Sequence, residues 1–120
     1  MVNENEVPVK LVLNEKKCLL ELYYSTGTLT SLSYEFLRVH SPSAEVVGHG
    51  PGQATLQTGK KNIKIIYLNP VGNYALRPEF SDGHSTGIYS WKYLKWLIDN
   101  KEGLWDKYLK KIESEGASRI

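Results

Sequence analysis

Pro70-Val71-Gly72-Asn73-Tyr74-Ala75-Leu76-Arg77-Pro78-Glu79-Phe80-Ser81-Asp82-Gly83-His84-Ser85-Thr86-Gly87-Ile88-Tyr89-Ser90-Trp91-Lys92-Tyr93-Leu94 reads as strand, turn, strand and helix. Asp82-Gly83 between two alternating runs signals a two-residue hairpin, because a type I′ turn needs positive φ at both central positions and these residues tolerate it. That turn sets the register. Ser81 faces His84, Phe80 faces Ser85, Glu79 faces Thr86, and so on to Leu76 facing Tyr89. One face then carries Tyr74, Leu76, Phe80 and Tyr89 and is expected to be buried, while Arg77, Glu79, Ser81, His84 and Thr86 form the polar face where chemistry could sit. Ser90 is placed to cap a helix that begins at Trp91.

Working outward, the 120 residues suffice for one core. An apolar fraction of 41% and a charged fraction of 23% describe an ordinary globular chain, and a net charge of +2 is too small to build a nucleic-acid or membrane footprint. Cys18 is the only cysteine, so an internal disulfide and a cysteine-rich metal site are both excluded. It falls in a strand pattern and reads as a small buried hydrophobe. Met1 to Glu6 is polar, and no apolar run approaches the roughly 18 residues of a membrane span. A reducing, cytoplasmic setting is the expectation.

Val7, Val9, Leu11 and Leu13 alternate, as do Cys18, Leu20, Leu22 and Tyr24, which predicts a first hairpin around Asn14-Glu15-Lys16. Leu29, Leu32, Phe36 and Leu37 fit a short helical segment with Ser33 as a cap. An internal echo is visible: Ser25-Thr26-Gly27 then Ser33-Tyr34-Glu35-Phe36-Leu37 resembles Ser81-Asp82-Gly83 then Ser90-Trp91-Lys92-Tyr93-Leu94, one residue out of step. Ser41 to Asn62 is rich in Gly, Ser and Pro. Its spacing is wrong for a phosphate-binding loop, so an ordered surface loop is expected. Ile63, Ile65 and Tyr67, with Ile66 and Leu68 opposite, predict a strand apolar on both faces and central in its sheet, and Asn69-Pro70 turns the chain into the hairpin. Leu94, Leu97 and Ile98, and then Leu104, Trp105, Tyr108, Leu109 and Ile112, recur at helical spacing across a break at Asn100 to Gly103. The tail from Gly116 to Ile120 is expected to fray. The class is α+β, a mainly antiparallel β-sheet with hairpins and two C-terminal helices. Residues 1–6 form a flexible N-terminus, 7–99 the domain, and 100–120 a helical extension.

The candidate bases are His40, His49 and His84, and none sits in a recognised catalytic or metal spacing. His84 stands out. It follows the turn glycine, on the polar face, within diagonal reach of Glu79, a carboxylate that would hold the ring and favour its charged form. The set Tyr34, Trp91, Tyr93, Trp96, Trp105 and Tyr108 is explained by core packing, and it becomes a partner-binding surface if Trp96 or Trp105 is left exposed.

Leu37-Arg38-Val39-His40-Ser41-Pro42-Ser43-Ala44-Glu45-Val46, Gly48-His49-Gly50-Pro51-Gly52, Pro70-Val71-Gly72-Asn73-Tyr74-Ala75 and Asp82 to Trp91 together resemble the small bacterial proteins of the DUF971 family. That family is similar to the N-terminal domain of gamma-butyrobetaine hydroxylase. The resemblance implies a domain without the hydroxylase's iron and 2-oxoglutarate chemistry. It also implies a structural zinc held in the hydroxylase by three cysteines and a histidine. The corresponding positions here are near Ser41, Ser43, Val46 and His84. Only the histidine survives, so no structural zinc is expected. Some relatives are fused to carriers of iron-sulfur clusters.

The resulting expectation is a non-enzymatic binding or adaptor module that meets a protein partner, without nucleic acid or membrane, through Arg38, His40, His49, His84 and Trp91. The alternative is a metal-binding accessory role, with iron held at His84 and its neighbours, linked to iron-sulfur or oxygenase chemistry.

Overall fold

One turn design, used twice, sets the architecture. The computed structural model describes residues 7–48, 50 and 52–120, so His49 lies outside the described residues. Strands β1 (Lys10–Asn14), β2 (Leu19–Tyr23) and β3 (Leu29–Ser33) form one antiparallel sheet in chain order and lead into helix α1 (Tyr34–Val39). After the single-turn helix α2 (Ala44–Val47), β4 (Ile65–Val71), β5 (Ala75–Phe80) and β6 (Tyr89–Ser90) form a second such sheet and lead into α3 (Trp91–Asp99). Helix α4 (Lys101–Ser114) follows. The α+β class with two C-terminal helices is what the chain adopts, and the echo in the sequence is a repeated three-strand and helix unit.

In the first unit the Gly27 N–H donates to the Tyr24 carbonyl (3.0 Å) and the Tyr24 N–H to the Thr28 carbonyl (2.9 Å). In the second the Gly83 N–H donates to the Phe80 carbonyl (3.0 Å) and the Phe80 N–H to the His84 carbonyl (2.9 Å). Gly27 and Gly83 have φ of 86° and 89°, whereas Asp82 does not have positive φ. Each loop is therefore a type I turn closed by a glycine bulge, not the two-residue type I′ turn that Asp82-Gly83 predicts. The reason is steric: this solution asks left-handed geometry of glycine alone, and spares Asp82 a cost of about 1–2 kcal/mol.

The two units then diverge by one residue. In the first, the Tyr24–Thr28 pairing continues in step through Tyr23↔Leu29 and Leu22↔Thr30. In the second, Phe80 opposes His84 while Leu76 opposes Tyr89, so the returning strand carries one extra residue, and only Tyr89 and Ser90 pair. Pro78 explains why. Tyr74 and Phe80 direct their backbone polar groups to the returning side, the Tyr74 carbonyl accepting from the Trp91 N–H at 3.2 Å. By the two-residue period Pro78 stands where that side needs an N–H, and it has none. The ladder fails there and residues 84–88 leave the sheet. The Leu76↔Tyr89 register is as the sequence predicts, but the polar face between them is lost.

Other expectations change for equally local reasons. Leu29 to Ser33 is strand, its alternation with β2 outweighing the helical spacing, although Ser33 does cap α1, its Oγ accepting from the Phe36 N–H at 3.0 Å. Ser90 caps α3 in the same way. Strand β4 is an edge strand, with Ile66 and Tyr67 exposed. Pro70 lies inside it, and a proline in a strand belongs at an edge. The chain turns at Gly72 to Tyr74, and Tyr74 is exposed instead of buried. The tail is docked: Arg119 donates to both carboxylate oxygens of buried Glu35, at 2.8 and 2.6 Å.

One core joins the units, with Leu20, Leu22, Leu32 and Leu37 of the first against Leu76, Phe80, Leu94 and Leu97 of the second. Val39, Tyr108 and Ile112 form a smaller cluster where α4 folds back. No helix among the described residues is long and apolar enough to cross a membrane.

Gly83→Ala is expected to lower stability by about 1 kcal/mol through φ alone, since open space surrounds the new methyl group. Urea unfolding checks this: the midpoint should fall with an unchanged slope.

Candidate functional site

Released from the sheet, residues 84–88 fold onto the segment after α1. The His84 ring is buried, with 7% of the residue exposed, between Ser41 and Glu45. Its Nε2 lies 2.8 Å from Ser41 Oγ and its Nδ1 3.0 Å from Glu45 Oε2. Ser43 Oγ and Thr86 Oγ1 are 2.7 Å apart. Gly87 permits the approach, because a Cβ there would come within 2.4 Å of Ser41 Oγ. The sequence predicts an exposed His84 paired with Glu79. Instead Glu79 accepts from Asn69 at 2.8 Å, and the carboxylate that meets the ring comes from α2.

The partners constrain the ring's state. A carboxylate only accepts, so Nδ1 carries hydrogen and donates to Glu45. In the neutral ring Nε2 accepts from the Ser41 hydroxyl, and Ser41 Oγ accepts in turn from the Ser43 N–H at 3.3 Å. Burial, then the Arg38 charge, push the His84 pKa below its ordinary value, outweighing Glu45 and Asp82. Burial and Arg38 thus favour the neutral ring, contrary to the charged form that a carboxylate neighbour alone predicts.

Asp82, the turn residue, is the electrostatic anchor. Its carboxylate accepts from Arg38 Nε at 2.9 Å, Lys60 Nζ at 2.5 Å and the His84 N–H at 3.1 Å. Burial alone would raise its pKa, but the Lys60, His84 and Arg38 interactions more than reverse that and hold it at about 2. Arg38 is buried, and its Nη1 has no hydrogen-bond partner among the described residues. Trp91 is buried too and donates from Nε1 to the Asn73 carbonyl at 2.8 Å. Of the residues the sequence places on a free face, Arg38, His84 and Trp91 therefore turn inward, and His49 lies outside the described residues.

His40 alone reaches an open site. It lines a groove of about 670 Å³ between the end of α1, the segment 54–57 and α4, with Val47, Leu56, Tyr93, Lys107 and Tyr108 among its other walls. Its Nδ1 lies 2.9 Å from the Phe36 carbonyl, so Nδ1–H donates there, and its ring sits 4.4 Å from that of Phe36. Burial lowers its pKa despite the carbonyl bond. Two phenols brace the walls: Tyr93 donates to the His40 carbonyl at 2.6 Å and Tyr108 to the Gln57 carbonyl at 2.7 Å. Lys107, Lys110 and Lys111 stand along one wall, and no carboxylate lines the groove among the described residues. Exposed Trp96 stacks on Tyr93 at 5.9 Å beside it. The α4 stripe announces a buried face but not that the segment 54–57, which has no periodicity, would stand opposite. Sequence reasoning therefore misses this site.

Two repeated meander and helix units, pinned where buried Ser41 and His84 meet the exposed carboxylate of Glu45 and flanked by an apolar groove, define a small α+β domain. The gamma-butyrobetaine hydroxylase-like, N-terminal family model matches residues 11–95, and the chain belongs to that family. Two structures determined in solution by NMR are similar. One is 43% identical, with a TM-score of 0.81, covering 94% of this chain and 89% of its own. The other is 45% identical, with a TM-score of 0.79, covering 99% and 90%. A crystal structure of a DUF971 protein of unknown function from Acidithiobacillus ferrooxidans ATCC 23270 is 32% identical, with a TM-score of 0.66, covering 81% of this chain and 98% of its own. No functionally curated protein matches.

The zinc that the family resemblance implies can be weighed against the donors present. Ser41, Ser43 and His84 do come together around residues 41–46, but the imidazole has both nitrogens engaged, and two hydroxyls and a valine supply no thiolate. This set does not fit a structural zinc. Among the described residues no three of His, Cys, Asp and Glu gather as metal ligands.

Stability should fall in two limbs with acid. A histidine held below its ordinary 6.5 contributes stability present in full above that pH and lost as pH drops toward its folded value. Asp82 contributes stability present above 3.8 and lost as pH falls to about 2. Denaturant titrations across pH should show both limbs, the upper one shared with His40, whose pKa burial also lowers; His84→Gln should reduce the upper limb to the His40 share and leave the lower, and unchanged slopes in the variant would contradict the assignment.

Proposed function

We propose that the protein is a non-enzymatic binding module whose groove seats an acidic, amphipathic segment of a protein partner. The observation that carries this reading is the pairing of an apolar groove of about 670 Å³ with a wall of lysines and no lining carboxylate. Leu56, Val47 and Tyr108 offer apolar surface for anchoring side chains, and the lysines favour negative charge along the edge of the same segment. Lys110 and Lys111 make only exposed pairs, with Asp106 at 3.1 Å and Glu115 at 3.2 Å, which a partner's carboxylates can replace at little cost. Lys107 has no ion-pair partner among the described residues. Trp96, exposed on the Tyr93 ring, adds an aromatic anchor of the kind that concentrates interface energy.

Ser41, His84 and Glu45 have the hydrogen-bonded order of a nucleophilic triad. Two features speak for a structural role instead. Ser41 is 0% exposed, and its oxygen already accepts from the Ser43 N–H. An acyl carbon has no approach to it.

The test is titration of the isotope-labelled protein with two amphipathic peptides that share leucine anchors but carry glutamates or lysines. The acidic peptide should shift the amide signals of His40, Leu56 and Tyr108, and Lys107→Glu should weaken it about three- to tenfold. Equal binding of the basic peptide, or shifts centred on the β4 edge, would contradict the reading.

A further inference from the structure

Outside the groove, Cys18 is the one non-glycine among the described residues with positive φ, at 53°. Such a conformation is uncommon for a residue with a β-carbon, and a close contact accompanies it. Cys18 is partly exposed, and its Sγ lies 2.8 Å from Lys64 Nζ. The two residues belong to different repeat units: Cys18 ends the β1–β2 turn, and Lys64 immediately precedes β4.

A second observation lies on the Lys64 side of this contact. The Tyr34 side chain is 1% exposed and its hydroxyl has no hydrogen-bond partner among the described residues. Tyr34 lines a small cavity of about 330 Å³ with Glu15 and Lys64, and its N–H donates to the Cys18 carbonyl at 2.9 Å. Burial raises the phenol's pKa, so it keeps its hydrogen and lacks an acceptor.

We propose that Cys18 and Lys64 are the two ends of an oxidative staple, a covalent S–O–N bridge formed by peroxide. The first peroxide oxidises the thiol to a sulfenic acid, leaving one oxygen on sulfur and releasing water. Once the Lys64 ammonium has given one proton to solvent, the second removes one hydrogen from that S–OH group and one from the amine. The O–N bond forms and two further waters leave. Four electrons pass in total, two from sulfur and two from nitrogen, to the two peroxides. A bridging oxygen leaves sulfur and nitrogen close to where they stand, whereas a direct S–N bond would draw them well inside 2.8 Å. The bridge ties the turn of the first sheet to the edge strand of the second.

The experiment is intact-mass and peptide analysis of the folded protein after treatment with hydrogen peroxide. The wild type should gain about 14 Da, one oxygen in and two hydrogens out, and yield a linked pair of peptides containing Cys18 and Lys64 that a thiol reductant separates. Cys18→Ser and Lys64→Arg, checked for the native amide spectrum, should not gain it. Protein oxidised in urea should not form the link. A gain of about 16 or 32 Da on Cys18 with Lys64 free, a linked product about 2 Da lighter, or the same link in the unfolded chain would each overturn the proposal.

Discussion

A proline that cannot donate a hydrogen bond shapes the rest of this molecule. Pro78 occupies the central strand of the second sheet at a position where the returning strand needs an N–H. The pairing lapses, the one extra residue between Gly83 and Ser90 is accommodated, and residues 84–88 are free to pack elsewhere. The first unit, with neither the proline nor the extra residue, closes as a regular ladder. The comparison is internal to one chain. Two units share a turn and a capped helix, and the second differs where its backbone hydrogen bonds fail.

What the freed segment does follows from electrostatics. Burying an imidazole costs little if it stays neutral and both nitrogens find partners. Ser41 and Glu45 provide those partners, and the nearby guanidinium of Arg38 disfavours a charge on the ring. Arg38 is itself balanced by Asp82, which Lys60 also holds, so a basic pair and a single carboxylate fasten α1, the long loop and the turn together. Hydrogen bonds here do the cross-linking that the family resemblance assigns to a metal. They also fix the path of residues 41–46, and thereby one wall of the groove.

Much of this was legible in the residues. The capping serines Ser33 and Ser90, the two C-terminal helices, the Leu76↔Tyr89 register and the internal echo all follow from short-range patterns. The family membership followed from four short motifs. The misreadings share a cause. Treating Asp82-Gly83 as a two-residue turn ignored the cheaper glycine bulge, and it extended the ladder past a proline that interrupts it. Reading β4 as central overlooked Pro70 in the same way. Glu45 meeting His84, Arg119 meeting Glu35 and the segment 54–57 facing α4 are contacts between elements far apart in sequence. No period or spacing announces them. His84 lies on the other side from the one its place in the hairpin predicts, because that facing assumes a ladder that stops short.

The join between the two units depends on His84 being a neutral, inward-facing ring that donates from Nδ1 and accepts at Nε2. Long-range proton–nitrogen correlation of the histidine rings at neutral pH reads this directly. The prediction is a hydrogen-bearing Nδ1 and a bare Nε2 for His84. A doubly protonated ring, or hydrogen on Nε2 with Nδ1 bare, would contradict it.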